Sequence, residues 1–178
     1  MPMLTRFSKL PPTLILSPII CFSKKRLFEE IAECASYITE IPTEQVITAL
    51  NDREKMGSTV CAKSIAIPHS IILSAPKDFE TFGILCMLSE PIAFNTVDTD
   101  PLTIDMAYAF FISPDDSYED VQNMLYEVSN ILSQEALSNS LRLSRYDDDK
   151  ITAILNKVDS LLSNALLHEE ENESLKES

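Results

Sequence analysis

The chain holds only two histidines, His69 and His168, and they sit in unlike surroundings. His168 opens the tail HEEENESLKES, which carries five Glu and one Lys and reads as a solvated stretch. His69 follows Ile65-Ala66-Ile67-Pro68, so it emerges where a short apolar strand is expected to end. Strand ends are where α/β sheets build their sites. An imidazole that titrates near neutrality can move a proton or act as a nucleophile. Alone, such a histidine is more often a plain hydrogen-bonded residue, so its neighbours decide. Nearby stand the cations Arg53 and Lys63 and the hydroxyls Ser58 and Thr59. Their bland readings are a helix-ending arginine, a solvated lysine and a turn-capping serine.

Composition removes several other chemistries. Two glycines, Gly57 and Gly83, in 178 residues exclude a Gly-rich phosphate cradle, a dinucleotide fingerprint and a Walker loop. The cysteines at 21, 34, 61 and 86 form no CxxC pair, so their spacing supports no metal site, and they read as reduced, structural thiols of a cytoplasmic protein. A net charge of −14 argues against nucleic acid and against acidic membrane surfaces. No apolar run approaches the roughly 18 residues of a membrane span. The leader-like start around Leu14-Ile15-Leu16 is broken by Pro11, Pro12 and Pro18 and reads as an extension entering a strand. No cofactor is implied.

The elements that must position His69 follow from apolar periodicity. Ser23 caps a helix over about Lys24–Ile38, and Thr43 caps a second with Val46, Ile47 and Leu50 inward. Thr81–Leu88 and Leu102–Ile112 read as central strands, apolar enough to be covered on both faces. Ser117 opens a third helix, a short one covers Gln134–Leu143, and Asp147 caps a last one striped by Ile151, Leu155, Val158 and Leu162. The expected fold is a single α/β domain with a mixed central sheet flanked by helices on both faces. Residues 1–22 form an extension and first strand, 23–166 the domain, and 167–178 an acidic disordered tail.

The stretch Asn51–Ser70, NDREKMGSTVCAKSIAIPHS, resembles the IIA domains of the bacterial sugar phosphotransferase system, of the mannitol/fructose type and its nitrogen-regulatory branch. Ser23-Lys24-Lys25-Arg26, Pro91-Ile92-Ala93-Phe94, Asp98 and Asp105 add to the resemblance, which runs from about Phe7 to Leu162. It implies that His69 accepts a phosphoryl group from the phosphocarrier HPr. Arg53 would then stabilise the added charge, Ser58 and Thr59 would donate hydroxyls, and no metal is implied.

Two departures stand out. The family's loop glycines are replaced by Val60-Cys61-Ala62-Lys63-Ser64 and by Ser70, with Lys63 a compensating charge. The family's second histidine, counted without gaps from Asp105, falls on Asp120. The resemblance therefore implies a free-standing, cytoplasmic phosphocarrier that signals to a regulated protein through its phosphorylation state. It would be a carrier rather than a turnover enzyme on a small substrate. The alternative is a binding-only regulator with weakened or lost phosphotransfer. A hydrolase built on Ser58, His69 and Asp105 or Asp120 lacks a GxSxG elbow.

Overall fold

The computed structural model describes residues 4–62, 64–95 and 102–177. Within them the chain runs β1 (Thr13–Ile19), α1 (Lys24–Thr39), α2 (Thr43–Lys55), β2 (Val60–Ala62), β3 (Ile65–Ala66), β4 (His69–Ile71), β5 (Phe82–Asn95), β6 (Leu102–Ile112), α3 (Tyr118–Leu132), α4 (Glu135–Leu143) and α5 (Asp148–Glu177). Six strands form one mixed sheet in the order β1-β5-β6-β3-β2, and β4 also pairs with β6. β1 runs parallel to β5, β5 antiparallel to β6, and β3 and β4 parallel to β6.

Alternation along a pleated strand explains the two cores. On β5, Ile84, Cys86 and Leu88 meet Leu27, Phe28 and Ile31 of α1 and Leu50 of α2. Leu85 and Met87 point the other way, to Val128 of α3 and Leu155 and Val158 of α5. Helices therefore cover both faces, as the apolar strands imply.

Local differences from the sequence expectation have simple causes. Thr43 is the first residue of α2, and Pro42 takes the cap position with no side-chain bond. Proline's fixed φ suits it to a helix start without a hydroxyl cap. β5 continues past Leu88 to Asn95, with a register shift between Met87 and Ile92 that absorbs Pro91, a residue that cannot donate to the ladder.

The composition of residues 167–178 predicts disorder, yet α5 stays helical to Glu177. Extending an anchored helix avoids a new nucleation step, and Glu is a good helix former. Here Leu166, Glu169 and Glu173 of α5 border a depression of ≈ 350 Å³ together with Glu119, Asp120 and Met124 of α3. Burial pushes the Glu169 carboxyl above its usual range, and Glu127 of α3 adds to the rise.

One β5 position tolerates no side chain. A Cβ on Gly83 would stand 2.6 Å from Cε1 of Tyr108 and 3.1 Å from Cε1 of Phe110. Those two rings stack at 4.4 Å, and the Tyr108 hydroxyl is hydrogen-bonded to Thr13, so neither ring is free to yield. Gly83→Ala is expected to lower stability by ~1–3 kcal/mol, read as an earlier midpoint in urea unfolding. An unchanged midpoint would mean that the rings can shift.

Candidate functional site

The backbone around His69 is set by β6. Pro68 has no N–H to give the ladder, but its carbonyl accepts the Phe110 N–H at 2.8 Å. His69 then opens β4 opposite Phe110, in the same offset by which Ala66 of β3 faces Ala107. The imidazole is half-buried at this strand start. α2 ends just beside it. Gly57, with φ +151°, turns the chain out of α2 in a conformation that favours glycine.

Two hydrogen bonds fix the ring. Arg53 Nε donates to His69 Nε2 at 3.2 Å, and a second Arg53 donor, Nη1, reaches the Gly57 carbonyl at 3.1 Å. A guanidinium can only donate, so Nε2 carries the lone pair and Nδ1 carries the proton. Nδ1 accordingly donates to the Ile67 carbonyl at 2.9 Å. Burial pushes the His69 pKa below its usual value. The Ile67 carbonyl raises it, Arg53 lowers it and Glu54 raises it, in that order of weight. The imidazole is neutral at pH 7, with its nucleophilic nitrogen held against a cation.

That depressed pKa makes stability pH-dependent. Above the unfolded-state value of about 6.5, folded and unfolded chains both hold a neutral ring. As pH falls below it the unfolded chain takes up the proton first, so the stability is lost through the folded pKa. Thermal unfolding from about pH 7.5 down to about pH 5 should therefore show a steeper loss for the native protein than for His69→Gln. Parallel curves would contradict the assigned environment.

The other sequence candidates separate clearly. Ser58 borders the same pocket, of ≈ 300 Å³, as Arg53 and His69, and its Oγ accepts the Val60 N–H at 3.2 Å. Thr59 also borders it, but its hydroxyl donates to Glu54. The Glu54 carboxylate is buried, lies 3.2 Å from Lys24 Nζ, and so ties α1 and α2 to the segment before β2. This bracing residue was not singled out in the sequence. Its signal was a carboxylate next to Arg53 at the end of a helix. Lys63 and Asp98 lie outside the described residues. Asp105 is turned to α4, where Arg142 Nε donates to it at 2.7 Å, and it does not join Ser58 and His69.

Asp120 stands on another side of α3. It does not border the His69 pocket but lies in depressions with Lys9, Thr81 and Met124. The α3 residues on the His69 pocket are Gln122, Leu125, Tyr126 and Ser129. Residues two apart on a helix point to different sides, so Asp120 and Gln122 meet different surroundings. The row 122, 125, 126, 129 has the i, i+3, i+4, i+7 spacing that could have marked this face.

All four cysteines are unbridged. Among the described residues no group of His, Cys, Asp and Glu is arranged to hold a metal, and no helix is long and apolar enough to cross a membrane.

Residues 9–158 match the family model described as "Phosphoenolpyruvate-dependent sugar phosphotransferase system, EIIA 2". The chain is 32% identical over 133 residues to a nitrogen regulatory protein of Escherichia coli (strain K12), covering 75% of this chain and 78% of that one. It is 30% identical over 144 residues to a nitrogen regulatory protein of Bradyrhizobium diazoefficiens, covering 81% and 90%. The crystal structure of nitrogen regulatory protein IIA-Ntr from Neisseria meningitidis superposes with a TM-score of 0.67 at 25% identity, covering 79% of this chain and 92% of that one.

Proposed function

Because the chain belongs to the EIIA 2 family of the phosphoenolpyruvate-dependent sugar phosphotransferase system, we propose that it is a phosphocarrier of the nitrogen-regulatory type, with His69 as its phosphoacceptor. One observation carries the reading: Nε2 of His69 carries the lone pair and accepts from a fixed guanidinium at the pocket, while Nδ1–H is held by Ile67.

The chemistry follows from those bonds. The phosphorylated donor, HPr in the family resemblance, brings its phosphoryl group in line with Nε2. The Nε2 lone pair forms the N–P bond as the donor's N–P bond breaks and its electron pair returns to the donor nitrogen. No proton needs to leave Nδ1, since its bond to the Ile67 carbonyl holds the correct tautomer before and after. Arg53 Nε–H gives up the Nε2 lone pair and becomes free to donate to a phosphoryl oxygen. The charge that develops in the transfer then meets a cation already in place. Ser58, at the pocket wall, supplies a hydroxyl. The net charge of −14 suits docking to a basic donor face. The protein acts in the cytoplasm, and its phosphorylation state is the signal that a regulated partner reads.

The test is incubation with phosphoenolpyruvate, enzyme I and HPr, followed by intact-mass measurement at alkaline pH. The expected result is a gain of one acid-labile, base-stable phosphoryl group. No gain with HPr confirmed to be charged would replace this reading with a binding-only regulator, in which the side chains of Val60, Cys61, Ala62, Ser64 and Ser70 obstruct the approach.

A further inference from the structure

We propose that Gln122 and Tyr126 of α3 grip the phosphoryl group on His69, forming with Arg53 the wall that holds it. The inference rests on the phosphoacceptor reading above and assigns the contacts of that same site.

Both side chains border the His69 pocket. They stand four residues apart on one face of a helix that packs near β2, so they present two donors side by side. Both are exposed, and among the described residues neither the Gln122 amide nor the Tyr126 hydroxyl has a hydrogen-bond partner within the protein. The pocket's other donors are largely engaged. Thr59 O–H is on Glu54, Arg53 Nη1 is on Gly57 O, and His69 Nδ1–H is on Ile67 O. A phosphoryl group on Nε2 brings three acceptor oxygens into this space. Ser129, also on the pocket, is hydrogen-bonded to Cys61, so the donors left to meet them are the rest of the Arg53 guanidinium, Ser58 O–H, the Gln122 amide N–H and Tyr126 O–H.

These two are catalytic residues in the sense that they touch the reacting group, and they keep their protons throughout. Being neutral, they add hydrogen bonds to the phosphorylated state without adding charge next to the imidazole. They therefore change how fast His69 is labelled and how long the label lasts, while leaving the ring's own protonation midpoint alone. That combination separates a direct grip from a structural role.

The experiment uses potassium phosphoramidate, a small phosphoryl donor, so that no partner protein has to dock. The full chain is compared with Gln122→Leu, Tyr126→Phe and Gln122→Glu, with labelling followed by intact mass at alkaline pH and by 31P NMR. Loss of one hydrogen bond to a charged group is expected to slow uptake by about tenfold in each of the first two variants. Gln122→Glu, which sets a carboxylate against the phosphoryl oxygens, should slow it further. The His69 titration followed by NMR, and the thermal midpoint, should stay as in the native protein for Gln122→Leu and Tyr126→Phe. Native-rate labelling and native label lifetime in both variants would overturn the inference and leave the phosphoacceptor reading standing. Slower labelling accompanied by a shifted His69 titration would overturn it in favour of a structural role. A native protein that gains no label on His69 would overturn both.

Discussion

With His69 replaced by alanine, the protein is expected to gain no phosphoryl group at all when incubated with phosphoenolpyruvate, enzyme I and charged HPr. The expectation has two halves. The variant should fold, because His69 is half-buried at the start of a short strand and, among the described residues, its side chain bonds only Arg53 and the Ile67 carbonyl. No other imidazole should take over. His168 stands far out on α5 with 79% of its side chain exposed, and its ring lies 3.8 Å from the Glu171 carboxylate. A phosphoryl group there would meet like charge with no guanidinium to offset it. Circular dichroism should show native helix content, and intact mass at alkaline pH should show the unmodified chain. A label that persists on the variant would remove His69 from the site and make His168 the residue to examine.

The largest stability effect is expected far from this chemistry. Asp159 is 8% exposed, and its carboxylate accepts three backbone N–H groups, from Ser8 at 3.1 Å, Lys9 at 2.7 Å and Leu10 at 2.8 Å. The segment entering β1 is thereby tied to α5. Alanine would strand donors that burial has removed from water, and each hydrogen bond to a charged acceptor is worth about 1.5–3 kcal/mol. Since the contributions are not additive, Asp159→Ala should cost roughly 3–5 kcal/mol, a large part of the ~5–15 kcal/mol by which a domain is stable. Urea unfolding measures the loss, and hydrogen exchange should show residues 8–10 losing protection first. A cost below about 1 kcal/mol would mean that water replaces the carboxylate.

Asp159 also shows how far the sequence could be read. The stripe Ile151, Leu155, Val158, Leu162 marks α5 by its period, and an acid beside Val158 in that stripe signals a buried polar role. Nothing local names Ser8–Leu10 as its partner, because those residues are about 150 positions away. The same limit applies around the site. Ser23 and the central strands were legible because caps and apolar runs are local signals. The strand end just before His69 was legible because Pro68 punctuates the run, whereas the pairing of His69 with β6 as the start of β4 depends on a partner about 40 residues away. Which face of α3 looks at His69 depends on helix phase, which sets Gln122 on the His69 pocket and Asp120 on another depression. Glu54's link to Lys24 and Thr59 needs three segments brought together by the fold.

The run of α5 past Leu166 lays Glu169 and Glu173 beside Glu119 and Asp120 and against Glu127 of α3. Most surface contacts between charged side chains weaken as ionic strength rises, because they join opposite signs. This one is dominated by like signs, five carboxylates against Lys9, and its apolar anchor is Leu166, packed against the core cluster that holds Met124. Added salt screens the repulsion within a Debye length of ~8 Å at physiological ionic strength and ~3 Å at 1 M, while leaving the apolar contact in force. The end of α5 is thus held more tightly in concentrated salt than in dilute buffer.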